Sequence, residues 1–395
     1  MPMHKITFEC ELITPLFMGN ANPNDCELRA PSIKGAMRFW WRAMHGNMPI
    51  DKLREKEEEI FGGTEKGRSK VIVRVDSSRL KISKSSYKEE IWDNIKKAPK
   101  AGKEGEAYLF YSLLMQHERR YYNGIFQITL SSASKKDLLE CSDAFFLLSF
   151  FGGVGSRSRR GGGNFYIKKV TDNQRLLSQD YFIENDKDLK IYITNFLKII
   201  SNKYNIKSST KTPDFCNLSN CKIYLIENKD LNFIGIEFKN FRDRKPKSDY
   251  NGIKTFLQNG EVPQSFKKAI FGLPLSYRYG SIYDRKNAPS ALIEAISGKD
   301  VIDRSASSLF FRKQKNFFII LDFHTVLLPK NSSLLIKDTT QKKVISEIKK
   351  EYNILYAKKE SISLNYSPNS LKQDFIDSIK NINLIYPINE VHSRA

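Results

Sequence analysis

The sequence predicts an α+β fold of two tandem ferredoxin-like domains carrying helical insertions, and three observations support it. The chain has 395 residues, 40% hydrophobic and 12% aromatic, more than one ordinary core needs. Its N-terminal part reads β-α-β-β-α-β, the order of the split βαβ unit. A short pattern then returns. Ile60-Phe61-Gly62 with Arg68-Ser69 and Val71-Ile72-Val73 is echoed by Ile270-Phe271-Gly272 with Arg304-Ser305 and Leu309-Phe310-Phe311. The wider separation in the second copy implies an insertion there, and the echo favours two copies of one fold. The expected domains are residues 1–172 and 173–395.

His4 to Ile13 reads as a strand, because Ile6, Phe8, Cys10 and Leu12 alternate onto one side. After a loop rich in Gly, Pro and Asn, Pro31-Ser32 opens a helix, with proline suited to a first turn and serine to a cap. This helix runs to about His45 and stops before Gly46-Asn47. Arg68 to Val75 is β-branched and alternating, a second strand. Residues 77–123 read as an insertion with a polar front half and a helical back half. A third strand (Gly124–Leu130), a helix (Lys136–Phe151), a glycine-rich loop and a fourth strand (Asn164–Val170) complete the first domain. Beyond it the pattern predicts a helix over 189–204, strands over 221–226, 233–238 and 316–325, and a helix over 371–380 followed by an apolar segment.

Charge narrows the partner. Lys and Arg number 65 against 44 Asp and Glu, a net charge of +21. Residues 1–170 carry 29 cations against 20 anions, so the surplus is spread over both halves. A polyanion is the natural partner, since each neutralised phosphate releases counterions. No apolar run is long enough to span a membrane, and Met1–Leu12 has no signal-peptide core, so no membrane partner is expected. Five cysteines without a C-x-x-C pair suit a reducing cytoplasm.

The helix Ser32–Met44 carries the strongest local signal. Ile33, Ala36, Met37, Trp40, Ala43 and Met44 share an apolar face, and Lys34, Arg38 and Arg42 form a basic stripe beside it. Three cations at that spacing repel unless an anion sits among them, and Gly35 lets a backbone approach closely. Trp40 belongs to the core arc. Gly152 to Gly163 gathers six of the 21 glycines with Arg157, Arg159 and Arg160. Glycines such as Gly153 and Gly155 would bring backbone amides to phosphate oxygens, and the arginines would add bidentate contacts from an exposed loop. The run Gly62–Ser69 misses the phosphate-binding loop, because Arg68 replaces its lysine and a strand, not a helix, follows.

Catalytic material is thin. The histidines lack paired metal spacing, so no metal or cofactor is expected. His45 is the one candidate general acid or base for RNA cleavage, and closing the helix C-terminus accounts for it as well.

Several segments together resemble a known family. They are Ile13-Thr14-Pro15-Leu16, the run Arg29–Arg42, Ile60-Phe61-Gly62-Gly63 with Gly67-Arg68-Ser69, and the loop 152–163. They resemble the RAMP superfamily of CRISPR proteins, and within it the first Cmr subunit of type III-B effector complexes. Arg304-Ser305-Ala306-Ser307 is similar to the family's second-domain R-x-S-P-L segment, with Ser308 where proline is usual. The resemblance implies tandem ferredoxin-like domains and a place at the end of a cytoplasmic ribonucleoprotein, beside other Cmr subunits and near the 3′ end of the guide RNA. It also implies help in capturing target RNA, with nuclease and cyclase chemistry left to other subunits. The expected function is therefore a non-catalytic RNA-binding subunit. Its phosphate contacts would come from Lys34, Arg38, Arg42, Arg68, Lys70, Arg157, Arg159, Arg160 and Arg304. Two rivals remain: a metal-independent guide-RNA-processing endoribonuclease using His45, and a structural end-cap that touches only protein.

Overall fold

A computed structural model describes residues 3–20, 25–114, 119–178, 181, 189–209, 213, 215–243, 249–261, 263, 266–279, 288–298, 300–302, 305–326, 328, 332–340, 360–362 and 368–387. The fold is mixed α and β, with several antiparallel sheets. The chain divides into two compact units. The larger comprises residues 1–236, 310–325 and 381–395, and the smaller 237–309 and 326–380.

In the larger unit, β1 (His4–Leu12), β2 (Ile72–Asp76), β3 (Tyr122–Ser132) and β4 (Phe165–Thr171) form an antiparallel sheet in the order β2-β3-β1-β4. Ile6, Phe8 and Cys10 of β1 are fully buried, as the alternation requires. The helices α1 (Ala30–Met44), α2 (Ile50–Phe61) and α3 (Lys135–Phe151) come from this part of the chain. α3 is apolar around most of its circumference, and Leu138 and every residue from Cys141 to Phe151 are buried. Such a helix must be covered on both sides. Its core is shared with α4 (Leu189–Lys203) through Ile193, Phe196 and Ile200, and with a second sheet through Ile223, Leu225, Ile319 and Leu321.

That second sheet contains β5 (Cys221–Glu227), β6 (Leu309–Gln314), β7 (Phe317–Phe323) and β8 (Asn383–Tyr386), in the order β6-β7-β5-β8. The helix α5 (Leu231–Asp243) follows β5, and α6 (Pro368–Asp377) precedes β8. Along each of these two paths the second strand lies beside the third, the third beside the first, and the first beside the fourth; in the first sheet a fifth strand, Leu80–Ile82, also pairs with β3. Both sheets contribute to the larger unit, on either side of residue 172. The smaller unit has its own sheet, of strands 275–278, 290–297, 332–338 and 360–362 in that order. Ile253, Phe256, Ile293 and Ile336 lie in its core.

Three expectations are corrected. Residues 233–238 are helical, within α5. Leu231, Ile234, Phe238 and Phe241 are buried at helical spacing, and the local alternation Phe-Ile-Gly-Ile imitates a strand. The helix α2 fills a stretch the sequence pattern left unassigned, burying Leu53, Ile60 and Phe61. Ser32 does not cap α1. The helix begins at Ala30 after Arg29, which gives no side-chain cap bond, and Pro31 lies in the first turn. Among the described residues no helix is long and apolar enough to cross a membrane.

A candidate nucleic-acid interface

Along α1 the apolar arc is buried as predicted apart from Ala36, which is half-buried, and Trp40 and Trp41 are 1% and 0% exposed. Neither indole is available for stacking on a base. The basic stripe splits in two. Arg42 donates to both oxygens of Glu57, at 2.7 and 2.9 Å, and Arg38 Nε lies 3.1 Å from the same carboxylate. Arg38 also donates to the Gly62 carbonyl, at 2.5 Å. The anion that the spacing calls for is therefore supplied from α2, the helix missing from the sequence reading. Lys34 differs. Its ammonium is half-buried, and burial, then Arg38 and Arg68, hold its pKa below the ordinary lysine value. No carboxylate pairs with Lys34 or with the exposed Arg68 among the described residues. Lys70, also exposed, reaches Glu59 only at 3.9 Å. Gly35 is exposed and a Cβ there would meet nothing within 4 Å, so this flank of the helix is open.

The turn after α2 presents Arg68 and Lys70. Gly62 closes the helix at φ +82°, a conformation costly for other residues. Ser69 Oγ then donates to the Ile60 and Val71 carbonyls and accepts from the Val71 amide. The echo repeats this device. Gly272 has φ +102°, and Ser307 Oγ donates to the Ile270 and Leu309 carbonyls and accepts from the Leu309 amide. The equivalence shifts the expected alignment by two residues. Ser307, not Ser305, stands where Ser69 does, so Ala306 and Ser308 occupy the places of Arg68 and Lys70. Arg304 lies outside the described residues.

The glycine–arginine loop departs from the expected phosphate cradle. The amides of Val154, Ser156, Gly162 and Gly163 donate to the carbonyls of Gly163, Phe17, Arg157 and Pro15. A Cβ on Gly153 would lie 2.6 Å from the Gly162 carbonyl, and one on Gly155 (φ +79°) 2.5 Å from the Phe17 carbonyl. These glycines serve close packing of backbone on backbone. The arginines are half-buried rather than exposed. Arg157 Nε donates to Ser112 Oγ at 3.0 Å, and Arg159 lies over the rings of Phe310 at 4.7 Å and Phe39 at 5.6 Å. Burial, and then Arg157, push the Arg160 pKa down to about 10. Arg160 bridges to Phe311 of β6, whose amide donates to the Arg159 carbonyl.

A buried arginine that the sequence analysis passed over locks this arrangement. Arg312, fully buried, donates to the carbonyls of Ser149 and Phe150 in the last turn of α3, and to that of Phe165. A cation suits a helix C-terminus. Its signal in the sequence is slight, an arginine that follows three apolar residues and precedes Lys313 and Gln314.

His45 sits in the wall of a cavity of about 610 Å³ with Lys135, Lys136, Leu139, Glu140 and Tyr204. Its Nδ1 is 2.8 Å from the Trp41 carbonyl, its ring packs tilted against Trp41 with centroids 4.2 Å apart, and Nε2 is 3.9 Å from Glu140. Burial dominates and lowers its pKa, favouring the neutral ring. Glu140 accepts from the Trp41 indole, so this carboxylate helps hold the core. Arg79 pairs with Glu9 at 2.6 Å, and Tyr166 donates to Glu11 at 2.7 Å.

Fold and loop together define the class first: an α+β protein of RAMP type, with residues 9–166 matching the model of the RAMP superfamily. Two relatives from Pyrococcus furiosus narrow it. The CRISPR system Cmr subunit Cmr1-2 is 30% identical over 187 residues, 43% of this chain and 98% of that protein. Cmr1-1 is 29% identical over 226 residues, 53% of this chain and 63% of that protein. The chain belongs to the Cmr1 family of the RAMP superfamily. The crystal structure of Cmr1 from Pyrococcus furiosus in its apo form shares the fold, with TM-score 0.56 at 19% identity over 98% of this chain and 99% of that one.

Proposed function

We propose that this chain is an RNA-binding, non-catalytic subunit of a type III-B Cmr ribonucleoprotein in the cytoplasm. It contacts guide RNA near its 3′ end, helps capture target RNA, and works beside other Cmr subunits. The observation that carries this reading is the pair of cations with no carboxylate partner among the described residues, Lys34 and Arg68, gathered with Lys70 on an open flank of a +21 chain. Like charges held together in this way favour a polyanion that bridges them. Membership of the Cmr1 family supports the assembly, and a cryo-EM structure of a type III-B Cmr-beta complex bound to cognate target RNA is among the structural neighbours (TM-score 0.48).

The architecture we propose is a tandem of two ferredoxin-like domains, residues 1–172 and 173–395. It rests on the repeated strand order and on the shared Gly62/Ser69 and Gly272/Ser307 device. In the second domain, residues 244–308 interrupt the path from α5 to β6. Phosphate contacts are assigned first to Lys34, Arg68 and Lys70. Arg38, Arg42, Arg157, Arg159 and Arg160, already engaged within the protein, serve chiefly to position the surface, and Arg304 stays a candidate.

Photocrosslinking of the assembled complex to guide and target RNA tests the reading. Adducts on the peptides carrying Lys34 or Arg68 are expected, and a chain that crosslinks only to protein is an end-cap. Incubation with repeat RNA without metal tests the endoribonuclease alternative. No specific cleavage is expected, and cleavage lost in His45→Ala would establish it.

A further inference from the structure

A second basic cleft in the larger unit is lined by neither Lys34 nor Arg68. It is an open groove of about 440 Å³ between the turn joining β5 to α5 and the two-residue turn joining β6 to β7. A hydrogen bond of 2.7 Å from the Asn228 amide to the Asn316 carbonyl pins the two lips together. Three lysines line it, Lys229, Lys313 and Lys315, against one carboxylate, Asp230. Asp230 Oδ1 accepts from the Phe233 amide at 2.8 Å at the start of α5, and its charge also acts on Lys313, which leaves the three lysines in excess over one carboxylate. Lys313 donates to the Lys229 carbonyl at 2.8 Å, which holds its half-buried ammonium in the wall. Burial lowers its pKa, so the charge is partly stripped of water, where it attracts an anion more strongly than in open solvent.

Two aromatic rings accompany the lysines. The Lys229 ammonium lies 4.6 Å from the Phe233 ring, and that of Lys315 lies 4.5 Å from the Tyr166 ring. Phosphate-seeking cations beside ring faces are the pairing that holds single-stranded nucleic acid, with the base on the ring and the backbone on the charge. The volume suits one nucleotide, since pockets for small ligands begin at roughly 300 Å³. The cleft is also tied to the glycine–arginine loop. The Lys313 amide donates to Asn164 Oδ1 at 2.8 Å, and Asn164 in turn donates to the Gly152 carbonyl.

We propose that this cleft holds one phosphodiester-linked nucleotide of a single-stranded RNA, its phosphates on Lys229, Lys313 and Lys315 and its base against Phe233. The proposal rests on the RNA-binding reading for the identity of the anion.

The test uses the full chain and a twelve-residue oligouridylate carrying 4-thiouridine. Irradiation is expected to crosslink the peptide Asp230–Lys239, which contains Phe233. The variant Lys229→Gln/Lys313→Gln/Lys315→Gln is expected to lose that adduct and about tenfold in affinity. If two phosphates are engaged, its slope of log K against log salt flattens by about 1.4. Phe233→Leu is expected to lose the adduct while keeping the slope, and it decides the matter if the triple variant melts early. Unchanged affinity and slope in the triple variant, with the parent chain still binding RNA steeply, would overturn the cleft and leave the RNA-binding reading standing. A parent chain that does not bind the oligomer would overturn both. Uridine monophosphate competing at the cleft as tightly as the oligomer would make it a free-nucleotide site. A labelled hexaglutamate peptide that depends on the three lysines, while RNA does not, would assign the cleft to a protein partner. Either result contradicts the proposal.

Discussion

The Gly62–Lys70 turn and its counterpart at Gly272–Ser308 share a backbone device and differ in what surrounds it. In both, a glycine at positive φ ends a helical turn and a serine hydroxyl clamps a carbonyl from the preceding Ile-Phe-Gly. In the first, exposed Arg68 and Lys70 flank the serine. In the second their places are taken by Ala306 and by Ser308, which is buried and accepts from Lys372 Nζ at 3.1 Å. A feature that persists while its charge is removed is architecture, and the charge is what distinguishes the copies. The same separation runs along α1, where Arg38 and Arg42 share the Glu57 carboxylate and Lys34 has no carboxylate partner among the described residues.

Four predictions sharpen or break this comparison. Gly62→Ala and Gly272→Ala each place a Cβ at positive φ, 2.7 Å from the Ser69 amide nitrogen or 2.9 Å from the Ser305 carbonyl oxygen. Each is expected to cost about 3 kcal/mol in denaturant unfolding. A neutral outcome at either position breaks the equivalence of the two turns. Ser307→Ala, which orphans buried backbone groups, is expected to cost roughly 1–3 kcal/mol, and Ser69→Ala, at a half-buried site, about 1. Thermal melts that rank them the other way would mean the clamps are not alike in environment. Arg159→Ala removes a guanidinium from two ring faces and is expected to cost about 1 kcal/mol. A melt unchanged within error would return that arginine to the open-loop role first expected of it. Last, Arg68→Ala/Lys70→Ala is expected to shift stability by no more than about 0.5 kcal/mol while weakening RNA binding. Ala306→Arg should alter neither.

Much of the fold was legible in the sequence, because period-2 and period-3.6 patterns are set by burial. Ile6, Phe8 and Cys10 of β1 and the apolar arc of α1 behave as read. Residues 233–238 misled, because a short buried helix segment with Phe, Ile and Gly fits either period. The candidate site was less legible, since a cation's role depends on partners distant in the chain. Glu57 neutralises Arg42 across 15 residues, and Phe310 receives Arg159 from 151 residues away. Neither pairing leaves a local signature. The glycine loop misled for a related reason. The glycines that permit approach to a phosphate equally permit approach to another strand's backbone, and here carbonyls of the chain itself occupy those amides.

The central claim is that Lys34, Arg68 and Lys70, rather than the Arg38 and Arg42 held by Glu57, bind RNA. Titrating the chain with single-stranded RNA over a salt series tests it most directly. If about five phosphates are engaged, log K against log salt falls with a slope near −3.5. In Arg68→Ala/Lys70→Ala the slope is expected to flatten by about 1.4, the loss of two phosphates. A slope unchanged in that variant but flattened in Arg38→Ala/Arg42→Ala, with both proteins folded, would contradict the account.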